Sequence, residues 1–514
     1  MTRRRGIGRT RFGLLAVLTW VVGQPGCDKP TPPAPPPVPR FDGLKLVVGV
    51  VGDPALLKSV GAQRGEWVAQ TGSELILRDG PVDPKAVGSD VDVVVFPGER
   101  LGGLIDAKAL AVLPESVVAP PAEPTSATDG DPRAKPDPLK FTDVAPAFRD
   151  QVSKYGPDRY GLPIGGSALV VAFRRPAFDN PTLLEAAKAA GLTLEPPQTW
   201  DQFDALARFF HGRDLDGDNQ PDFGVALPWG LDPEGVGDSV FLARLASSAL
   251  HPDQYSFLLD SETTEPRVTS PPFVESLGAL VALKAFGPPK AETFDAPAAR
   301  AAFKAGRVAL LVDRAEAASR WGTGQSPVGV APLPGSNRVF DPSRNAWETN
   351  KALNRPSYLP SGGGWLVGVS SMSKNPAAAE AFARYLAGPD TTNRLRAERE
   401  FPMLAVRTSQ ITQGMTNPRS APGVEARPWA EAVARTLNAE KVLPGLRIPE
   451  AVGYLADLSA ARVAAVNGQP AEDALKNLAG AWTKRTQSLG LARQTWHHRR
   501  SLNGPTTTPE PPTK

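Results

Sequence analysis

Glu99 and Arg100 are adjacent and directly follow the apolar run Val91-Asp-Val-Val-Val-Phe96. A carboxylate beside a guanidinium offers paired acceptors and donors, which can grip vicinal hydroxyls at two points. The alternative is a solvated loop pair. Asp53 ends an earlier apolar run, Leu46-Val-Val-Gly-Val-Val51, in the same manner. A second candidate chemistry is metal binding. Asp214, Asp216, Asp218 and Asp222 occupy positions 1, 3, 5 and 9 of a calcium loop, and Gln220 offers a carbonyl at position 7. Asn219 stands where glycine is preferred, and position 12 carries Val225 in place of a bidentate glutamate. A structural Ca²⁺ site and an acid-rich solvated turn therefore both stay open, and no other cofactor is implied. Covalent chemistry has little support. The histidines His211, His251, His497 and His498 form no His-Glu-x-x-His, and no Gly-x-Ser-x-Gly occurs. Paired carboxylates for glycoside cleavage remain as a distant option, because only the fold sets their spacing.

The elements that must position these residues alternate between strand and helix. After the strand Leu46–Val51, Leu56, Leu57, Val60, Trp67 and Val68 recur at helical spacing, and Glu74-Leu-Ile-Leu is the next strand. Continuous apolar strands joined by helices predict a mainly parallel sheet covered on both faces. Thr199-Trp-Asp-Gln202 predicts a capping box, with Phe203, Leu206, Phe209 and Phe210 on one face of the helix that follows. With 514 residues the chain exceeds one compact domain, and its 41% hydrophobic content is enough to build cores.

The ends read differently. Residues 1–26 carry five arginines and no acid, followed by an apolar run from Phe12 too short to cross a bilayer, as in a secretory signal. Without those arginines the net charge falls from +3 to −2, and no basic cluster marks nucleic acid as a partner. Cys27 is the single cysteine and opens a proline-rich stretch, so residues 27–43 are expected to be an extended tether. A disulfide framework is excluded. Residues 117–139 lack periodicity and predict an inserted surface loop, and residues 491–514 predict a disordered tail.

The order of motifs resembles the extracellular solute-binding proteins of ABC importers, particularly the sugar-binding, maltodextrin-type group. The resemblance is carried by Lys45-Leu-Val-Val…Gly52-Asp53, Val91 to Leu104, Tyr160-Gly-Leu-Pro-Ile164 with Ala168 to Phe173, and Pro197 to Phe203. Phe303 to Leu311, Val328 to Gly335, Gly363-Gly-Trp-Leu-Val-Gly-Val-Ser, Lys374 to Phe382 and Ile448 to Leu475 continue it. It covers roughly residues 44–485. Each motif is weak alone; their order is the specific signal.

The resemblance implies an α/β, two-lobe, periplasmic-binding-protein-like fold of type II, with three hinge crossings and a ligand cleft between lobes. Crossings map near Gly165–Ser167, Val312–Asp313 and Gly368–Ser371. Lobe 1 would be residues 44–167 plus 313–367, and lobe 2 residues 168–312 plus 368–490. The implied function is capture of a sugar or oligosaccharide and delivery to an ABC permease, by a monomer exported to the periplasm or cell surface. Cys27 resembles the lipidated cysteine of a lipoprotein, although Gln24-Pro25 departs from that pattern. Glu99 and Arg100 match an acid–arginine pair that contacts sugar, whereas Ser167 stands where maltodextrin binders place a glutamate.

Sugar rings stack on flat aromatic faces, and ten tryptophans are available against six tyrosines. Trp229 and Trp365 are the first cleft candidates, and Trp321 and Trp347 come next; core packing is the competing role for each. Tyr454 and Leu455 stand where maltodextrin binders carry aromatics including a tryptophan, which reduces the platform and makes a smaller or less sugar-like solute the alternative. The triple glycine Gly362–Gly364 lacks the lysine of a phosphate loop and reads as a flexible approach to the cleft. A sensor or adaptor lipoprotein, or a binder of a non-sugar solute, is the remaining alternative on this fold.

Overall fold

Apolar runs assemble into two separate sheets. The computed structural model describes residues 39–80, 83–87, 90–119, 139–324, 326–398, 400–413 and 421–503. In the first lobe, Lys45–Val50 pairs in parallel with Glu74–Asp79 on one side and Val93–Pro97 on the other. Gly364–Val369 then runs antiparallel between Val93–Pro97 and Leu162–Gly166. In the second lobe the order is Val328–Ala331, Leu169–Arg174, Val308–Arg314, Phe223–Ala226, and only the last pair is parallel. The mainly parallel sheet expected from sequence is thus corrected to a mixed one. A strand entering from the other lobe starts at the cleft, so it runs against neighbours that end there.

Burial follows the strand pattern. Leu46, Val48, Val93 and Val95 are fully buried, and the helices Pro54–Gly61 and Arg64–Thr71 add Leu56, Val60 and Trp67. Each such side chain contributes about 1.5–3 kcal/mol. The capping box forms as expected: Gln202 N donates to Thr199 Oγ1 at 3.2 Å, and Thr199 N donates to Gln202 Oε1 at 3.2 Å. Phe203 and Phe210 of the helix Trp200–Phe210 are fully buried.

The chain crosses between lobes three times, and two crossings differ from the expected positions. The first lies at Gly166–Ala168, where Leu162–Gly166 leaves one sheet and Leu169–Arg174 enters the other. Val312–Asp313 is no crossing, because both residues lie inside Val308–Arg314 in the second sheet. The chain stays in that lobe through Val328–Ala331 and the hairpin Ser336–Asp341 with Ala346–Asn354. It returns at Leu359–Gly363, just before Gly364–Val369. Helices Pro376–Leu386 and Pro389–Arg396 then cover the first sheet, so Gly368–Ser371 is no crossing either. Helix Ala426–Leu437 packs on the second sheet, which places the last crossing between residues 407 and 426. Short apolar strands suit either sheet equally, and their assignment is a tertiary matter.

The two ends also need correction. Part of the predicted tail, Leu491–Ser501, is a helix that docks on both lobes. Toward the first lobe, His497 Nε2 lies 3.0 Å from Asp106 Oδ1, and Arg500 pairs with Asp158. Toward the second, Ser256 Oγ lies 3.2 Å from His498 Nε2, and Arg499 Nε donates to Ser261 O at 3.0 Å. Polar contacts carry this docking, so no apolar stripe announced it. At the other end the tether is already anchored at Phe41, which stacks on Trp67 and donates its N–H to Thr71 O. Val117, Val118 and Leu139, the edges of the predicted insertion, are buried. Residues 120–138, Cys27, the predicted signal and residues 504–514 lie outside the described residues.

Candidate functional site

Strands of both sheets end at one cleft, the place where open α/β sheets hold ligands. Its cavity measures about 640 Å³. From the first lobe, Asp53 follows Lys45–Val50, Glu99 and Arg100 follow Val93–Pro97, and Trp365 opens Gly364–Val369; all four line it. Trp365 stands edge-to-face with Phe401, ring centroids 5.1 Å apart, making one aromatic wall. Asp53 also caps the helix Pro54–Gly61 by accepting from Ala55 N at 2.7 Å.

The triple glycine has a packing role where flexibility was expected. Gly362 has φ +67°, and a Cβ there would stand 2.1 Å from Glu99 N. Only a bare backbone lets this loop lie against Gly98 and Glu99 at the cleft wall.

The second lobe supplies groups that the sequence reading missed. Arg314 ends the strand Val308–Arg314, and Glu316 follows it in the turn Ala315–Arg320. Ser167 Oγ donates to Glu316 Oε1 at 2.5 Å, and Ala168 N donates to Oε2 at 3.5 Å. The Ser167 position is therefore served by a carboxylate that reaches it from a distant part of the chain. Behind them, buried Arg300 holds Asp313 through two bonds of 2.7 and 2.8 Å and reaches Glu234 at 2.9 Å. Arg462 fixes the loop that carries Glu234. It donates to Pro228 O, Trp229 O and Gly230 O and pairs with Asp238 at 2.7 Å. Arg314 and Glu316 obey the strand-end rule that singled out Glu99; applying it to Val308–Arg314 would have found them.

The carboxyls differ in how tightly each holds a proton. Burial pushes the Glu99 carboxyl above its usual value, against the pull of Arg314 and Arg100. Burial likewise pushes Glu316 up to about 7, with Arg314 and the Ser167 hydroxyl opposing. At Glu234 burial also acts upward, but the hydrogen bond from Arg300 and the charges of Arg300, Arg314 and Arg320 prevail and hold it low.

Three of the four tryptophans are displaced from the proposed role. Trp229 is fully buried in the second-lobe core, its indole N–H donating to Leu280 O at 3.1 Å. Trp321 is fully buried and donates to Asp313 Oδ2 at 2.7 Å. Trp347 sits on the outer hairpin against Phe340, under the Arg338 guanidinium at 4.3 Å. A large apolar ring with one donor is satisfied best by a buried acceptor. Trp365 alone of the four reaches the cleft. Leu455 lines the cleft and Tyr454 is buried beneath it.

The acidic loop is only partly a ligand set. Asp214, Asp216 and Asp218 bring carboxylate oxygens within 4.8 Å of one another. Asp222 is instead buried under Arg307 at 2.9 Å and accepts from Leu215 N, so its expected ligand position is corrected. Gln220 donates its backbone N–H to Asp218 Oδ1 at 2.7 Å.

Two α/β lobes, linked by three chain crossings and opening one polar cleft at their strand ends, define a type II periplasmic-binding-protein-like fold. The chain belongs to the bacterial extracellular solute-binding protein family, whose pattern it matches over residues 85–393. No curated protein matches it in sequence. Similar solved structures include an ABC transporter solute-binding protein from Agrobacterium radiobacter K84 in complex with ribitol. That pair shares 18% identity, covering 87% of this chain and 100% of the other, with a TM-score of 0.60. A second, from Agrobacterium vitis S4 with bound D-mannitol, shares 18% identity over 87% and 99% of the chains, with a TM-score of 0.59. A cyclo/maltodextrin-binding protein complexed with maltotetraose shares 18% over 87% and 98%, with a TM-score of 0.55. At this identity the likeness is one of fold.

Proposed function

We propose that this protein is the substrate-binding component of an ABC importer, taking up a small polyhydroxylated solute by closing two lobes around it. The observation that carries this is the cleft itself, with Glu99 and Arg100 on one wall, Arg314 and Glu316 on the other, and an aromatic face at Trp365 and Phe401, Tyr358 being nearly buried in the lining. Carboxylates and guanidiniums supply acceptors and donors for hydroxyls, and one aromatic face suits a sugar or polyol better than a long oligosaccharide. Sugar and polyol complexes among proteins of the same fold support this choice. Glu99, Arg100, Asp53 and Trp365 are the contacts carried over from the sequence; Arg314 and Glu316 are added.

Binding and release suffice for this role, so no catalysis and no cofactor are needed. Asp214, Asp216 and Asp218 are the part of the acidic loop suited to a structural Ca²⁺, and a chelator-sensitive melting temperature tests that. The protein acts as an exported monomer, tethered through lipid on Cys27 and delivering solute to a permease. A melting screen with ribitol, D-mannitol, D-tagatose and maltotetraose tests the reading. A stabilising shift without product formation supports it, and no shift with any sugar or polyol contradicts it.

A further inference from the structure

Two carboxyls in the cleft stand apart from the others. Asp232 accepts from Gly237 N at 3.0 Å, Glu234 is held by Arg300, Asp238 by Arg462, and Glu400 by Lys58 at 2.8 Å. Glu99 accepts no hydrogen bond among the described residues, and Glu316 accepts only from Ser167 Oγ and, at the limit of range, Ala168 N. One carboxyl rises from each lobe, and both feel the charge of Arg314.

Lobe closure brings such groups together. Two carboxyls lining one closing cleft repel when ionised, and less water is left to screen them. An ammonium group removes that conflict, since it offers three donors, carries the opposite charge and accepts nothing. The cleft lining has seven acidic side chains against four arginines, and with Arg462 on Asp238 and Lys58 on Glu400 counted the acids still lead by one, which complements a cation. The arginines are also engaged: Arg300 by Asp313 and Glu234, and Arg314 by Glu234 O and Ser361 Oγ. An anionic solute would meet Glu99 and Glu316, which have few donors of their own, while Arg300 and Arg314 already have acceptors.

We propose that the site is built for an amino polyol or amino sugar, its ammonium lying between Glu99 and Glu316 and its hydroxylated chain along Trp365. This rests on the solute-binding reading above and names the solute class for the same cleft.

The test uses three probes of one carbon skeleton and different charge: D-glucamine as cation, D-glucitol as neutral and D-gluconate as anion. D-Mannitol and maltotetraose serve as neutral references, and all five are titrated calorimetrically into the full chain at pH 8. A charge-assisted bond is about twice as strong as a neutral one, so D-glucamine should bind about tenfold more tightly than D-glucitol, with D-gluconate weakest. Glu99→Gln and Glu316→Gln should each reduce that preference to about threefold or less while keeping a cooperative melt. Neutral probes that bind as tightly as D-glucamine would overturn the amine preference and leave the solute-binding reading in place. A preference that survives in both glutamine variants would overturn the assigned carboxyls. Silence from all five probes, maltotetraose included, would overturn the solute reading together with this inference.

Discussion

Ser167 at the first interlobe crossing donates its hydroxyl to Glu316, 149 residues further along the chain, at 2.5 Å. This bond ties the crossing segment to the end of the strand Val308–Arg314. It sits where a change in lobe angle would be felt, and it holds a half-buried carboxyl at the cleft.

Protonation of Glu316 should therefore register in stability. Its pKa is about 7 in the folded protein against 4.5 ordinarily, so the folded state binds more protons between those values. Stability from this group is present below pH 4.5 and is lost as pH rises to about 7. Glu316→Gln removes the dependence. The variant's melting temperature, relative to wild type, should be higher at pH 8 than at pH 5; an equal offset at both pH values would contradict the assignment.

Arg300 is the support behind the second-lobe wall. Its side chain and that of Asp313 are 4% and 2% exposed. Arg300→Ala leaves Asp313 buried without its counter-charge, at a cost of about 3–5 kcal/mol. Urea unfolding measures this directly, and a loss under about 1 kcal/mol would show that the pair is better solvated than its burial indicates.

The C-terminal helix should loosen in acid. Burial holds His498 down at about 4, against 6.5 ordinarily. The unfolded chain binds the extra proton first, so stability is intact above pH 6.5 and falls as pH drops toward 4, by roughly 3 kcal/mol at most. Hydrogen exchange across residues 491–501 should speed up between pH 6.5 and 4.5 beyond its intrinsic pH dependence. His498→Gln should flatten that response; an unchanged response would place its cause elsewhere.

Anchoring through Cys27 predicts that Cys27→Ser moves the protein from the membrane to a soluble fraction. Membrane partition equal to wild type would remove the lipid from the account.

The sequence made the first lobe's side of the cleft legible because Glu99, Arg100 and Asp53 each follow an apolar strand, and strand ends point to the cleft. It did not show which sheet Val328–Ala331 joins, because a four-residue apolar strand carries no label for its neighbour. The tryptophans misled for a related reason. Trp229 and Trp321 have the composition of a stacking platform, but their N–H groups meet Leu280 O and Asp313, acceptors that only the fold brings near. The helix Leu491–Ser501 was hidden because Gln494, His497 and His498 are buried through polar contacts, which leave no periodic apolar signal.

The most direct test of the central claim is titration calorimetry of Arg100→Ala and Glu99→Ala. The titrant is the neutral probe that shifts wild-type melting most among the sugars and polyols. Loss of one charge-assisted contact costs about 1.5–3 kcal/mol, or roughly ten- to a hundredfold in affinity. The account predicts that loss in both variants, with cooperative melts close to wild type because neither side chain belongs to the apolar core. Wild-type affinity in both would contradict it and move the binding site away from the end of the strand Val93–Pro97.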